Sequence, residues 1–328
     1  MKLKGINSII IFRALQLGDL LCPVPAFRAL RLAYPDAHIA IAGMPWMKSF
    51  VERFADYIDE FIWFPGYPGL PEQEVDAKKT IGFLNEIAER KFDLALQMQG
   101  NGTIVNPMVK LFNAKYTAGY CIPNDYCPDK ELFILYPEGI SEIHKHLFLM
   151  NHLGIDLQGD HLEFPVTDKD VEDLSSASFY FPGEKYICVH PGSRGADRRW
   201  PPEYFARLAD RCAANGRKII LTGTKEEIDI VNRVASCMKS KPLIAAGKTN
   251  IGAMAALLKN AEGLICNCTG VSHIAAALRT KSVVISMDGE PERWAPLNKD
   301  IHYTIDWTKT PDIDLVQHSM DIQFSISA

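Results

Sequence analysis

Short apolar runs alternate with amphipathic stretches along the whole 328-residue chain. The apolar runs lack polar alternation, which is typical of parallel strands that are covered on both faces. The stretches between them place apolar residues at helical spacing, and each half of the chain repeats this strand–helix unit about five times. The pattern predicts an α/β protein with two doubly wound, Rossmann-like domains.

The predicted elements cover both halves of the chain. In the first half, strands are predicted over 8–12, 38–42, 60–64, 93–98 and 116–119, with helices over 20–33 and 80–90. In the second half, strands are predicted over 186–190, 218–222, 243–245, 263–267 and 282–286, with helices over 202–215, 226–238, 251–259 and 271–278.

A boundary between the two domains is expected near 163–185, where two Phe-Pro pairs bracket a short helical stretch. This gives domains 1–165 and 166–328. The tail over 312–323 also has helical spacing, and we expect it to pack back on the first domain.

Composition and charge narrow the function classes. With 47% hydrophobic and 23% charged residues, the chain has the composition of an ordinary globular protein. Residues 1–165 hold 15 Lys and Arg against 20 Asp and Glu, whereas residues 166–328 hold 20 of each class. Without a basic face, nucleic acid is disfavoured as the partner. A broad electrostatic membrane anchor is disfavoured too, and only a local membrane contact stays open.

The start of the chain and the cysteines indicate a cytoplasmic protein. No apolar run reaches the length of a transmembrane helix. The apolar run at 9–12 is too short for a signal peptide, so we interpret it as a first buried strand. The eight cysteines form no CxxC pair and are expected to be reduced thiols.

The first loop with candidate chemistry follows the first predicted strand. Ligands of open α/β sheets bind beyond the carboxyl ends of the strands, so the loops there are the places to search. Gly18 permits a close approach of the backbone, and Asp19 stands at the start of the next helix. Asp19 fits two roles, a helix N-cap worth about 1 kcal/mol or a general base.

A loop rich in small residues and arginine follows the strand predicted at 186–190. Gly192 and Ser193 expose backbone N–H groups, and Arg194, Arg198 and Arg199 follow with one nearby carboxylate, Asp197. Amides and guanidinium groups together suit a doubly charged anion. A solvated charged loop is the alternative, and the Gly-Ser context favours phosphate.

A third loop opens the helix predicted at 226–238. Thr222 and Gly223 form its turn, and Glu226 and Glu227 stand in the first turn of the helix. The glutamates are explained by the helix dipole alone. The alternative is that one of them accepts hydrogen bonds from ribose hydroxyls.

A fourth loop leads into a helix of small residues. Thr269, Gly270 and Ser272 stand at its start, where free N–H groups and hydroxyls suit an anion. His273 in the first turn is either a structural histidine or a ligand contact. Because this loop and the loop at 190–195 follow strands of one sheet, we expect them to hold one phosphate chain between them.

Other chemistries lack their sequence signatures. The chain has no GxGxxG after its first strand, no GxxxxGK[ST] and no GxSxG. Cys266 and Cys268 have no further ligands at zinc spacing. The aspartate pairs at 168/170 and 312/314 open predicted helices, so they are better interpreted as caps than as Mg²⁺ ligands.

Taken in order, these loops resemble glycosyltransferase family 9, the ADP-heptose:lipopolysaccharide heptosyltransferases, over nearly the whole chain. The matching segments are Arg13 to Pro25 with Leu17-Gly18-Asp19, Tyr34-Pro35-Asp36-Ala37, Asp93 to Gly100, His190-Pro191-Gly192-Ser193, Arg198-Arg199-Trp200-Pro201, Thr269-Gly270-x-Ser272-His273 and Glu292-Arg293-Trp294-x-Pro296. Each segment alone is modest, and their order makes the resemblance specific.

Three positions depart from the family pattern. Arg198 stands where many members have Lys, so a planar fork replaces a compact ammonium. Cys268 replaces the usual Asp before Thr269-Gly270, and Gln97 replaces another Asp on the acceptor side. These departures bear on the donor and the acceptor rather than on the fold.

The resemblance implies a GT-B fold, in which two Rossmann-like domains face a central cleft. It implies an acceptor site on 1–165 and a nucleotide-sugar site on 166–328, with inverting transfer that needs no metal and no cofactor. Asp19 would deprotonate the acceptor hydroxyl. Ser193, Arg198 and the helix start at Thr269 would stabilise the leaving nucleoside diphosphate.

The site residues that follow from the loops and the resemblance form two sets besides Asp19. The expected donor-binding residues are Ser193, Arg194, Arg198, Thr222, Gly223, Glu226, Thr249, Met254, Cys268, Thr269, Gly270, Val271, Ser272 and His273; the expected acceptor-binding residues are Gly18, Gln97, Gln99 and Asn101. The expected partners are a nucleotide sugar, ADP-heptose first, and a glycan or glycolipid acceptor of the cell envelope. We expect a monomer in the cytoplasm, with peripheral contact to the inner membrane left open.

Three other function classes stay open at this point. A sugar-nucleotide epimerase of the same fold would convert its substrate without an acceptor. A catalytically silent protein would bind the nucleotide sugar and never turn it over. A membrane-associated scaffold would use Trp46, Trp63, Phe64 and Tyr67, which are equally suited to a core.

Overall fold

The computed structural model describes residues 3–326 and divides the chain into two compact units, 1–160 and 161–328. The division falls after Asp160, a few residues before the expected boundary. Each unit has its own six-stranded sheet, and every strand pairing is parallel. The doubly wound α/β architecture predicted from the apolar runs is therefore confirmed.

The first unit builds its sheet in the order β3-β2-β1-β4-β5-β6. Its strands are β1 Ser8–Phe12, β2 His38–Gly43, β3 Glu60–Trp63, β4 Leu94–Gln97, β5 Tyr116–Cys121 and β6 Phe133–Leu135; its helices are α1 Leu17–Leu21, α2 Val24–Ala33, α3 Met47–Arg53, α4 Ala77–Arg90, α5 Val105–Lys110 and α6 Glu142–His152. Strand β1 lies in the middle, so the loop after it is surrounded by the ends of other strands.

The second unit builds its sheet in the order β12-β11-β10-β7-β8-β9. Its strands are β7 Tyr186–His190, β8 Lys218–Leu221, β9 Leu243–Ile244, β10 Gly263–Asn267, β11 Ser282–Ser286 and β12 His302–Asp306; its helices are α7 Asp168–Ser176, α8 Pro202–Ala214, α9 Ile228–Cys237, α10 Ile251–Lys259, α11 Gly270–Leu278, α12 Pro291–Trp294 and α13 Ile313–Gln323. Strands β7 and β10 are adjacent, which brings their loops together.

Aromatic side chains fill the core of the first unit. The ring of Phe64 lies 4.9 Å from that of Phe12 and 5.7 Å from that of Phe83, both edge to face. Each such ring contributes about 1.5–3 kcal/mol by burial. Phe64 is therefore a core residue and not part of a membrane patch, whereas Trp63 is 44% exposed.

Local differences from the prediction have identifiable causes. The single helix expected over 20–33 is two helices, because Pro23 lies between α1 and α2 and a proline cannot donate a backbone hydrogen bond. Strands β6 and β12 were not predicted. Both lie at sheet edges, and β6 has only three residues.

The tail helix, which was expected to pack back on the first domain, has its main packing partners within its own unit. Helix α13 packs against α8, β11 and β12 of its own unit. Val316 and Met320 are fully buried there, within the core of the second unit. The apolar stripe of α13 is thus covered by the edge of the adjacent sheet. Beside it, Arg211 on α8 forms an ion pair with Asp321 on α13 at 3.1 Å.

All eight cysteines are free. No helix within residues 3–326 combines the length and the apolar character needed to cross a bilayer.

His302 makes the stability of the second unit sensitive to acid. Burial lowers its pKa from 6.5 to about 4, and its Nδ1 lies 2.8 Å from Ser282 Oγ. Between pH 6.5 and about pH 4, the His302 ring therefore binds a proton in the unfolded chain but stays neutral in the folded chain. We expect the free energy of unfolding to fall over this window by up to about 3 kcal/mol.

Denaturant titrations of the wild type and His302→Gln at several pH values would measure this contribution. The variant should lose less stability than the wild type between pH 7 and pH 4.5. Identical pH dependence in the two proteins would contradict the role of His302.

Candidate functional site

The loops predicted to carry chemistry in the second unit emerge from neighbouring strands. Strand β10 lies between β7 and β11, and β8 flanks β7. Because all pairings are parallel, the carboxyl ends of these four strands meet at one edge of the sheet. The loops at 190–195, 222–227 and 267–273 therefore share that edge.

Asn267 joins the two loops that were expected to bind phosphate. Its Nδ2 donates to the carbonyl oxygens of Pro191 at 2.8 Å and Gly192 at 3.2 Å, and its Oδ1 accepts from the N–H of Trp200 at 2.9 Å. Asn267 is fully buried, and so is the Trp200 side chain. The loop after β7 is thus fixed to the end of β10, as the common edge predicts. Sequence reasoning missed this role of Asn267.

The three arginines of this loop have different surroundings. Arg199 donates its Nε to the carbonyl of the buried Ser193 at 2.8 Å, which fixes the loop. Arg194 is exposed. Arg198 forms an ion pair with Asp288, a carboxylate that follows β11 and was not predicted. The arginines are therefore not a uniformly solvated run.

Helix α11 presents its N-terminus at the same edge. Thr269 is the residue before the first turn and has extended backbone, so the first N–H groups of the helix lack helical partners. Ser272 Oγ donates to the Thr269 carbonyl at 2.7 Å, and Ser272 and Val271 are buried. The backbone around Thr269 and Gly270 is therefore suited to an anion, whereas the Ser272 hydroxyl serves the helix itself.

His273 lies in the first turn of α11, and Cys268 directly precedes the capping residue Thr269. The buried His273 ring packs edge-on against Trp294, with 6.5 Å between centroids. Cys268 Sγ lies 3.6 Å from the Trp294 carbonyl. Burial raises the pKa of the Cys268 thiol to about 12, with Asp288 adding to the shift and Arg198 opposing it. At neutral pH the position that replaces the family's aspartate is uncharged.

The two glutamates of the loop after β8 have different surroundings, and contact of Glu226 with a ribose stays a prediction. Glu226 is exposed, whereas Glu227 Oε2 accepts from the N–H of Thr224 at 2.8 Å and lies 3.7 Å from His190 Nε2. The other ring nitrogen of His190 contacts Thr222 Oγ1 at 3.0 Å. Burial lowers the pKa of His190, so the ring is neutral and serves as a hydrogen-bonding bridge.

A side chain at position 192 would not fit this arrangement. A Cβ placed on Gly192 would lie 2.2 Å from the Glu227 carboxyl group. The glycine therefore allows the loop after β7 to approach the loop after β8. Gly223 is half-buried beside the same glutamate, where a Cβ would lie 3.4 Å from its nearest carboxyl oxygen.

Thr249 and Met254 flank the start of helix α10. Both are half-buried, and Asn250 caps the helix by accepting from the N–H of Ala253 at 2.8 Å. Their expected role in donor binding stays a prediction.

In the first unit, Asp19 lies in the helix that follows the central strand β1. It is half-buried and belongs to the first turn of α1, where its Oδ2 accepts from the N–H of Gln16 at 3.3 Å. Gln16, not Asp19, is the capping residue. Asp19 provides the second hydrogen bond of a capping box, in which its carboxylate accepts from the backbone N–H of the capping residue. Its backbone carbonyl accepts from Arg13 Nε at 2.7 Å.

A buried network of charged side chains, which was not predicted, contacts this segment through Arg13. Arg13 is fully buried and its guanidinium pairs with Glu142 at 3.4 Å. Glu142 also lies 3.3 Å from Lys145 Nζ and 3.7 Å from His146 Nε2. Tyr120 completes the network, since its hydroxyl contacts His146 Nδ1 at 3.1 Å. The only sequence signal was Arg13 at the end of an apolar strand.

Two of the expected acceptor-binding residues, Gln97 and Gln99, lie at or just beyond the end of β4. Gln97 is buried, accepts from the N–H of Tyr120 at 3.0 Å and donates to the Gln99 carbonyl. Gln99 Oε1 accepts from the N–H of Ala14 at 2.6 Å. Both glutamine amides thus support the sheet edge and the loop after β1.

Asn101 and Gly18 complete the expected acceptor set. Asn101 is exposed, and its Oδ1 accepts from the N–H of Thr103 at 3.2 Å. Gly18 is half-buried in α1, next to Asp19. Contact of these residues with an acceptor stays a prediction.

Within residues 3–326, no group of three or more His, Cys, Asp or Glu side chains is arranged to hold a metal ion.

Solved structures with the same architecture define the fold class. The chain is similar to a glycosyl transferase family 9 protein from Veillonella parvula, with a TM-score of 0.78, 20% identity and coverage of 97% of this chain and 90% of that one. It is also similar to the E. coli ADP-heptose lps heptosyltransferase II, with a TM-score of 0.76, 17% identity and 99% coverage of both chains. The fold is GT-B, with two Rossmann-like units, as expected.

Sequence comparisons identify the family. The family model described as glycosyltransferase family 9 (heptosyltransferase) matches residues 82–319, and the chain belongs to that family. Lipopolysaccharide heptosyltransferase 2 of Salmonella typhimurium is 22% identical over 312 residues, which cover 89% of this chain and 86% of that protein. The chain is therefore a glycosyltransferase.

Proposed function

We propose that this enzyme transfers heptose from ADP-heptose to an acceptor of the lipopolysaccharide core. The single observation that carries the proposal is the match of residues 82–319 to the family 9 (heptosyltransferase) model. The Asn267 bridge agrees with it, because it fixes the loop after β7 to the end of β10. Relatives named for lipopolysaccharide heptose transfer support the choice of sugar and acceptor. A lipid-linked acceptor would place the enzyme at the cytoplasmic face of the inner membrane.

Asp19 is the proposed general base. Its carboxylate would take the proton from an acceptor hydroxyl while the hydroxyl oxygen bonds to the anomeric carbon of the donor. The bond between that carbon and the diphosphate oxygen breaks, and ADP leaves with the bonding electron pair. A single displacement of this kind inverts the anomeric configuration. Support comes from the carbonyl of Asp19, which the buried Arg13 holds in place.

The second unit would stabilise the leaving ADP. The guanidinium of Arg198 and the free N–H groups at Thr269 and Gly270 are suited to the charge that develops on the diphosphate. Ser193 lies in the loop that Arg199 fixes. Fixed hydrogen-bond donors of this kind would stabilise the leaving group without a metal ion, which is why we propose metal-independent transfer.

Arg198→Ala is expected to weaken ADP binding by about ten- to a hundredfold, since a charged hydrogen bond to phosphate is lost. Isothermal titration calorimetry with ADP measures the change. The matched control is Arg207→Ala, because Arg207 is 43% exposed and ion-paired with Asp314, much as Arg198 is 40% exposed and paired with Asp288. Unchanged affinity in Arg198→Ala, or an equal loss in both variants, would remove Arg198 from the donor site.

The choice of nucleotide has its own test. Thermal-shift measurements with ADP, UDP and GDP, each with and without its sugar, should show the largest stabilisation with the adenine compounds. A preference for UDP or GDP would contradict ADP-heptose as the donor. No shift with any of them would remove the donor site from the second unit.

A further inference from the structure

Asp288 brings a carboxylate to the proposed donor site. It follows β11 and forms an ion pair with Arg198, which follows β7. Strand β10 lies between these two strands in the sheet, and Cys268 follows it. The pair therefore connects the carboxyl ends of the strands on either side of β10.

The Asp288 carboxylate is held in one position and is still accessible. Its Oδ1 accepts from Ser286 Oγ at 2.8 Å and from the N–H of Glu290 at 3.3 Å, while its Oδ2 accepts from Arg198. Ser286 is fully buried, whereas the Asp288 side chain is 18% exposed. A carboxylate has about four acceptor positions, so it can take a further hydrogen bond.

The ion pair with Arg198 makes the Asp288 carboxylate compatible with a nearby diphosphate. A lone carboxylate near a phosphate site would repel the diphosphate, but Arg198 compensates its charge. In the part of the chain that the structure describes, Asp288 is the one side chain bonded to the Arg198 guanidinium. The remaining N–H groups of Arg198 are available to phosphate oxygens. The pair thus offers donors for a diphosphate and acceptors for hydroxyl groups.

We propose that Asp288 recognises the transferred sugar by accepting hydrogen bonds from its hydroxyls, while Arg198 binds the adjoining diphosphate. This inference rests on the proposed function and names a specificity-determining residue for it. Cys268 cannot supply this recognition, because a buried neutral thiol is a weak acceptor. The carboxylate that residue 268 lacks is thus provided from the neighbouring strand.

Calorimetry with two ligands separates sugar recognition from phosphate binding. The full chain and its Asp288→Asn variant are titrated with ADP and with ADP-heptose, in the absence of an acceptor. The amide still accepts from Ser286 but has lost its charge, so ADP affinity should stay within about threefold, whereas ADP-heptose should bind about tenfold more weakly. Asp288→Glu keeps the carboxylate and should retain a measurable preference for ADP-heptose over ADP.

Asp306→Asn is the matched control. Asp306 ends β12 at the same edge of the sheet, accepts from Thr308 Oγ1 at 2.6 Å and pairs with Lys309 at 3.2 Å. It should leave both affinities unchanged. Equal losses of ADP and ADP-heptose in Asp288→Asn would show that Asp288 acts only through Arg198, and no loss of either would show no role; both results overturn the inference. A wild type that binds neither ligand would instead refute the proposed donor site.

Discussion

Asp19→Asn is expected to lower the rate of sugar transfer by about 10²- to 10⁴-fold, the range that a general base contributes. The amide oxygen can still accept from the N–H of Gln16, so the start of helix α1 should be preserved. ADP binding, which is assigned to the second unit, should stay within about threefold of the wild type. Initial rates with donor and acceptor, together with calorimetry, measure both quantities.

The alternative for Asp19 is that it serves only the helix. Asp170 is a matched control, because its Oδ2 accepts from the N–H of Thr167 at 2.8 Å in the same capping arrangement at the start of α7. Asp170→Asn should leave transfer unchanged. If Asp19→Asn also keeps its activity within a few-fold, Asp19 is a capping residue and another group accepts the proton.

Glu142→Gln is expected to destabilise the first unit by about 3–5 kcal/mol. The substitution removes the carboxylate that faces the buried Arg13 and Lys145, and breaking a buried ion pair leaves the remaining charges uncompensated. The side chain of Glu142 is 6% exposed, so water cannot replace the lost interaction. Denaturant titration at pH 7 gives the change in free energy of unfolding.

Glu60→Gln provides the comparison for Glu142→Gln. Glu60 also pairs with two basic residues, Arg90 and His38, but its side chain is 33% exposed. Exposed pairs contribute about 0–1 kcal/mol, so this variant should be nearly as stable as the wild type. Similar losses in the two variants would mean that the network behind Asp19 is not held by its buried charge.

Much of the fold could be predicted from local patterns of apolar and polar residues. Unbroken apolar runs such as 9–12 become strands buried on both faces, and β1 and β10 begin and end where the pattern placed them. Edge strands are harder to predict, because β12 contributes exposed positions such as Tyr303 and has no distinctive apolar run. The packing of α13 was missed because an amphipathic helix does not specify which sheet covers it.

The candidate site likewise has features that could be predicted from the sequence and features that could not. Loops that follow strands could be located from the sequence, because parallel topology brings their ends to one edge. Asn267, Asp288 and Glu142 could not, since each acts through a partner that is distant along the chain: Asp288 meets Arg198 ninety positions away, and Glu142 meets Arg13 across 129. No local spacing encodes such pairs.

Direct observation of the transferred sugar tests the central claim most directly. The purified enzyme, with Asp19→Asn as the inactive control, is incubated with ADP-heptose and a lipopolysaccharide core acceptor that lacks heptose, and the products are analysed by mass spectrometry and NMR. We predict release of ADP and an acceptor that has gained one heptose with inverted anomeric configuration, with at most traces of either product from Asp19→Asn in the same incubation time. Conversion of ADP-heptose without an acceptor, or binding of the donor with no heptosylated product from any core acceptor, would contradict the account.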